Sequence, residues 1–476
     1  MSIRTIGKST LGKEIPLVVA ARDPSISPGE AKRRGLPVVY VQANIHAGEV
    51  EGKEAVLMLL RELSRKPSDP LLDRIVLLVT PIYNIDGNDK LGPLSRNRPS
   101  QDGPDPVGER ANGAGLDLNR DCMKAESPEM RAVLEHVYVR WDPDVIMDLH
   151  TTNGTRHGYQ LTYSPPLNPA MDEEVLRYSR DLLAGIRARC KAKHGWELFD
   201  YGNVEGQGEA RAWRTFGFEP RYVTNYAGVR NRIGVLSEAA SFQPFEMRVR
   251  STLAFVRDVL ERVAKDASKV VRLSRAADER TARRATQKTP FELGVRFEMA
   301  SRGSEPVLLE KPDPQNPVPR NKAPKNLELV AMEVFGQFRP TRTARFPAGY
   351  LFAPEHARAA RLLARHGVTV EKVSTAWSGP AERFVVSECA VAPQAFQGHR
   401  LVRLEGKFET ARVEFPAGSY WIRTGQPLGY LAFHMLEPES LDGAAAWGFF
   451  GTSFEAGSLY PVAKVPDAGA TLKSGN

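Results

Sequence analysis

The chain is 476 residues long, 42% hydrophobic and 26% charged, a composition that leaves room for more than one large core and argues against a disordered segment. Its formal net charge is +8, but the basic residues are scattered among acids, as in RDLLAGIRARCKAKHG and ERTARRATQK. These stretches read as solvated helix faces, and no nucleic-acid partner is expected.

No run of about 18 apolar residues occurs, so no membrane-spanning helix is expected. Cys122, Cys190 and Cys389 have no CxxC spacing, which implies neither a disulfide framework nor a thiolate metal site. The opening MSIRTIGKST has no apolar signal-peptide core. A first strand is expected within STLGKEIPLVVAA, close to residue 1.

Farther along, β-branched and aromatic PVVYVQANI reads as a strand. Val50, Val56, Leu57, Leu60 and Leu63 then recur at helical spacing. Strand-like RIVLLVTPIYN, a long polar loop from Asp86 to about Glu126, helix-like SPEMRAVLEHVYVRW and strand-like DVIMDLHTT follow. Ser127 before Pro128 is a helix start, since the hydroxyl can cap and proline suits the first turn. A helix from about Met171 to Lys193, a buried-type strand IGVLSEAA and a helix from about Phe245 to Val263 complete an α/β unit with a mixed central sheet flanked by helices, residues 1–270.

The texture then changes. RLSRAADERTARRATQK is basic and polar, and KPDPQNPVPRNKAPKN is proline-rich, so residues 271–326 are expected to form an extended connector. From Leu327 to the end, short runs such as RFVVSECAV, HRLVRLEG, ARVEFPAGSYWIRT and LGYLAF, with one helix at EHARAARLLARHG, predict a β-rich accessory domain. Trp421, Trp447 and Tyr460 in it are candidates for an aromatic platform or, as is commoner in β domains, for core.

Four ionisable residues at three strand ends stand out. His46 ends the first long apolar strand, with Glu49 three positions on; His150 ends VIMDLH; Glu238 interrupts VLSEAA. Each alone has an ordinary structural explanation. Together, at the ends of three apolar strands, they need a shared reason, because burying them unpartnered would cost several kcal/mol apiece. Carboxyl ends of sheet strands are also where α/β proteins build sites. A zinc ion supplies the reason: two imidazoles and a carboxylate fill three tetrahedral positions, and Glu238 is left free as a base.

HxxE at His46 and Glu49, DxNR at Asp117, Asn119 and Arg120 within GAGLDLNRD, a strand-terminal His150 lying 101 positions after Glu49, and Glu238 a further 88 on resemble the zinc carboxypeptidases, the carboxypeptidase A-like M14 metallopeptidases. NIDG at Asn84 to Gly87 is similar to the family's NPDG turn. The resemblance covers about residues 5 to 265 and implies one zinc per chain, held by His46, Glu49 and His150, with Glu238 as general base. It also implies that Asp117 orients the first ligand histidine and that Asn119 and Arg120 grip a substrate's terminal carboxylate. Arg96, with Arg98 as second choice, matches the arginine that polarises the scissile carbonyl. The family's mobile substrate-binding tyrosine has no clean register in RYVTNYAGVRNRIG; Tyr226 is favoured over Tyr222.

The implied activity is hydrolysis of the C-terminal amide bond of a peptide with a free C-terminal carboxylate. An amidase or deacylase of the same fold, acting on cell-wall peptides or N-acyl amino acids, is the alternative, and a non-catalytic binding protein the third reading. LEPES and WGFF are similar to segments of the C-terminal extension in some bacterial members, which are often exported, so an exported protein lacking its leader is expected.

Overall fold

The computed structural model describes residues 1–287, 289–466 and 474–475. Strands β1 (Ser2–Lys8), β2 (Glu14–Ala20), β3 (Val38–Ala43), β4 (Val76–Thr80), β5 (Val145–Thr151), β6 (Leu161–Ser164) and β7 (Leu198–Asp200) belong to a sheet that is completed by β10 (Ile233–Ala239). Its order is β1-β2-β4-β3-β5-β10-β6-β7. The centre is parallel, β3 to β4, β3 to β5 and β10 to β5, and antiparallel pairs lie toward the edges. This is the expected mixed sheet. Strands β8 (Asn203–Glu205) and β9 (Ala212–Arg214) pair with each other outside it.

The period of two decides which core each side chain enters. Val39 and Val41 face a core shared with Val56, Leu59 and Val259, from helices Glu51–Arg65 and Phe245–Lys265. Helix Glu173–His194 covers the same face; the Asp172 side chain caps its start and Gly195, at φ 71°, ends it. Tyr40 points to the other face. The core there takes in helix Pro128–Val133, capped by Ser127 as expected, and runs on through Tyr226 to Tyr350, Phe433 and Tyr460.

That continuity changes the picture of the C-terminal part. Of the expected connector, 271–284 lies in helix Ala267–Arg284, whose Val270, Val271, Ser274, Ala277 and Thr281 are buried. Residues 292–310 form strand β11 (Glu292–Glu310), antiparallel to β12 (Leu327–Arg345). Residues 285–287, 289–291 and the proline-rich stretch 311–326 are in neither helix nor strand. Basic residues masked a helical apolar stripe, since the stripe is narrow and built partly of small residues. The hairpin β11–β12 is held to the N-terminal part by parallel pairing of β12 with β9, Val334 opposite Trp213.

The remaining strands form a seven-stranded sheet, including Gly349–Phe352, Trp377–Val391, Val402–Phe415 and Tyr420–Arg423. LGYLAF is not one of its strands. It lies in helix Gly429–Leu436, buried along its whole length, and a short run that is apolar on every side has no period to distinguish helix from strand. Trp421, Trp447 and Tyr460 are buried and serve as core.

Candidate active site

His46 and Glu49 lie in the turn between β3 and helix Glu51–Arg65. The chain leaves β3 through Asn44 in the left-handed region, φ 63°, which asparagine tolerates well, and the turn closes with the Glu49 N–H donating to the His46 carbonyl at 2.9 Å. Between them, Gly48 is packed against Arg98 and Gly108; a Cβ there would stand 2.8 Å from Arg98 Cγ. His150 is on β5, and parallel pairing sets Glu238 of β10 directly opposite it.

The imidazoles of His46 and His150 and the Glu49 carboxylate offer ligand atoms that all lie within 4.8 Å of one another. His46 Nδ1 is 3.1 Å from Glu49 Oε1; His150 Nδ1 is 3.0 Å from Glu49 Oε2 and 3.2 Å from His46 Nδ1. Each ring is held from behind. His46 Nε2 lies 3.0 Å from Asp117 Oδ1, and His150 Nε2 lies 2.7 Å from Asp148 Oδ2. Gln42 in turn donates to Asp148 Oδ1 at 3.0 Å. Two carboxylates that accept from Nε2–H fix both tautomers and leave both Nδ1 lone pairs aimed at one point. This donor set, two nitrogens and a carboxylate, fits zinc.

Asp148 was not singled out from sequence, yet it stands two positions before His150, the strand spacing that puts side chains on one face.

Charges around the triad are strongly coupled. Burial opposes ionisation of Glu49, but His46 and Arg98 outweigh it and hold its carboxyl well below the usual range. Burial likewise works against protonated His150, and the carboxylates of Asp148 and Glu49 push it well above the ordinary histidine value. Glu238 lines the same cavity, partly open to it. Burial raises its pKa to about 8, with Glu49 adding to the rise and His150 and Arg98 opposing it. Replacing His150 with alanine should strip most of the zinc from the protein, measured by elemental analysis. A three-ligand site has no spare donor, and full zinc content in that variant would refute the ligand set.

The cavity beside the triad is about 220 Å³ and is also lined by Asn119, Arg120, Arg110, Tyr201 and Tyr222. Asn119 sits with its Nδ2 3.3 Å from His150 Nε2, while its Oδ1 accepts from the Val223 N–H at 3.1 Å. Arg120 lies 4.5 Å over the Tyr222 ring.

Three expected roles need correction. Arg96 is on the outer side of the short helix Leu94–Asn97, about 60% exposed, and pairs with Glu109 at 3.1 Å, away from the cavity. Arg98 is buried, and its donors are spent on Gln101, on Glu49 Oε1 at 3.1 Å and on the carbonyls of Thr151 and Thr152. It holds the Glu49 carboxylate from the side of a neighbouring cavity, which it lines with His46, Glu49 and Arg110. Tyr226 is fully buried in helix Val223–Val229, bonded to His366 Nδ1 at 2.5 Å. Tyr222, just before that helix begins, lines the cavity instead, and Tyr226 lies one turn deeper along the axis, in the core.

Sequence reasoning also missed Arg110. It donates to Asp117 Oδ2 at 3.0 and 2.7 Å and reaches within 3.6 Å of Glu49 Oε1 while lining the cavity. The long aperiodic loop carried no signal that singled it out.

The C-terminal part touches the site directly. Phe396 and His399 bond to each other across Gln397 and Gly398, both at positive φ (52° and 82°), a two-residue turn with mirror-image geometry. Its tip presents Gln397 Oε1 to the Asp117 N–H at 2.8 Å, and His399 anchors it to Glu126 at 2.6 Å. Gln397→Ala removes one acceptor behind the residue that orients His46. Zinc affinity should fall about three- to tenfold in chelator competition, below the effect typical of direct ligand orienters, with the fold intact. Unchanged affinity would leave Gln397 a purely structural contact.

Residues 1–216 match the M14 peptidase family, described as zinc carboxypeptidase. Carboxypeptidase 2 of Trichophyton tonsurans is 24% identical over 477 residues, covering 96% of this chain and 81% of that protein. Carboxypeptidase 2 of Trichophyton equinum is 24% identical over 473 residues with the same coverage. A solved metallo-carboxypeptidase from Burkholderia cenocepacia is 17% identical, with a TM-score of 0.41 over 56% of this chain and 65% of that one.

Proposed function

We propose that the chain is a zinc carboxypeptidase, the family that its residues 1–216 match, and that it removes C-terminal amino acids from peptides using Glu238 as general base. The observation that carries this reading is the convergence of His46, Glu49 and His150 beside Glu238 in a cavity that also holds Asn119 and Arg120.

His46, Glu49 and His150 would hold a zinc ion, which would supply Lewis acidity to the carbonyl and to the attacking water near neutral pH. The chain's own residues do the rest. Arg120, with Asn119 beside it, receives the terminal carboxylate, and a guanidinium suits this because its fork can bind both oxygens. That contact sets the scissile amide against the triad. Glu238 takes the proton from the attacking water as its oxygen bonds to the carbonyl carbon, then delivers a proton to the amine as the C–N bond breaks. Arg110 takes the role expected of Arg96, with its charge next to the oxygen on which negative charge develops. Asp117, Asp148 and Arg98 keep His46, His150 and Glu49 in position.

The test is a hydrolysis panel on the purified, zinc-loaded chain. Peptides with free C-termini should lose terminal residues, while the same peptides with blocked C-termini, N-acyl amino acids and cell-wall peptides should be poor substrates. Preferential cleavage of N-acyl amino acids or cell-wall peptides would replace the carboxypeptidase reading with the amidase or deacylase one.

A further inference from the structure

A second cavity, about 250 Å³, lies behind Tyr201, which lines both it and the catalytic cavity. Its charged lining is unbalanced: three arginines, Arg180, Arg187 and Arg302, against one carboxylate, Asp200. That carboxylate is already taken. Arg302 of β11 pairs with Asp200 at 2.8 Å and with Glu305 at 2.6 Å.

Arg180 and Arg187 are seven residues, about two turns, apart on helix Glu173–His194, so they project from the same side of it. Arg187 lies 4.8 Å over the Phe199 ring, and neither arginine has a carboxylate within ion-pair distance among the described residues. Two guanidinium charges thus line a cavity whose one carboxylate is already paired with Arg302. Burial and the neighbouring charge of Arg302 pull the Arg180 pKa down, and Asp200 opposes them in part. The rest of the lining is largely aromatic and aliphatic, with Tyr163, Trp213 and Leu183 among it. A site with convergent charge at one part and flat apolar surface at another suits a ligand that has both.

We propose that this cavity binds a small organic anion, a carboxylate or phosphate carried on an aromatic or aliphatic body, with Arg180 and Arg187 as its counter-charges. The site is separate from the grip for a peptide terminus, which uses Arg120. Because Tyr201 forms part of both cavities, an occupant here presses on a side chain of the catalytic cleft.

Titration calorimetry on the zinc-loaded full chain tests this, with benzoate and phenyl phosphate as probes and benzyl alcohol as the neutral control. Charge-assisted contacts of this kind are strong enough that Arg180→Glu with Arg187→Gln should weaken the better probe at least about tenfold. Arg120→Gln should leave that binding in place. Wild-type zinc content and an unchanged far-ultraviolet circular dichroism spectrum report that the double variant is folded. Better binding of benzoate or of phenyl phosphate identifies the carboxylate or the phosphate as the preferred head group. Absence of heat with both anions, equal binding of benzyl alcohol, or binding lost in Arg120→Gln and kept in the double variant would each overturn the proposal. The readout is binding, so a failed peptide panel leaves it unaffected.

Discussion

Glu238→Gln is expected to lower turnover on a free-acid peptide by at least about a hundredfold while zinc content stays at the wild-type level, because glutamine keeps the size and polarity of glutamate and cannot accept the proton. The prediction depends on placement more than on residue type. Glu238 stands opposite His150 in the parallel register of β5 and β10, so its side chain shares a face with a metal ligand, and it is not itself one of the three clustered ligands. Burial, reinforced by Glu49, raises its pKa to about 8. A dication bound next to it favours the carboxylate and moves that value down. A base acts in its deprotonated form, so kcat/KM should rise with pH through the pKa of Glu238, and that rising limb should vanish in the glutamine variant. Wild-type turnover in Glu238→Gln, or a residual activity that keeps the same limb, would locate the base elsewhere.

The residues that sequence exposed most clearly were those that break a pattern. His46, His150 and Glu238 are polar groups at the ends of strands that are otherwise apolar, and nothing but a shared task accounts for all three. Glu49 follows from His46 by a fixed short spacing. Loop residues offered no such contrast. Arg96, Arg98, Arg110 and Arg120 lie within one long polar stretch, and only folding decides that Arg96 pairs with Glu109 outside, Arg98 seals the back of Glu49, and Arg110 and Arg120 face the cavity. Tyr222 and Tyr226 are equivalent as residue types; the helix that starts at Val223 sends one to the rim and the other to the core.

Gln397 was beyond reach for a different reason. It lies 280 positions from Asp117, and only the tertiary packing of the C-terminal part onto the central sheet brings the two together. That packing also explains the misread connector. Its helix is held by burial against neighbours and carries few strong local signals, and tertiary context overrides propensity in such cases.

Arg120→Ala separates peptide-terminus recognition from general amide hydrolysis. Arg120 is only about 20% exposed, stacked on Tyr222, with one Nη donating to the Asn119 carbonyl at 2.7 Å and its distance to Asp117 Oδ2 a loose 3.9 Å. Donors therefore remain for a ligand in the cavity. Removing one partner of a desolvated, charge-assisted pair costs roughly 2 to 5 kcal/mol, since the other charge is left buried and unpaired. At about 1.4 kcal/mol per decade, kcat/KM on free-acid peptides should fall about thirtyfold to several thousandfold. The same peptides with amidated C-termini lack the charge that Arg120 serves, so they should be poor substrates for the wild type and lose little more in the variant. Zinc content should not change, because Arg120 touches none of the three ligands. Equal wild-type rates on free and amidated peptides, or an equal loss on both in Arg120→Ala, would rule out recognition of a terminal carboxylate and leave an amidase that reads another part of its substrate.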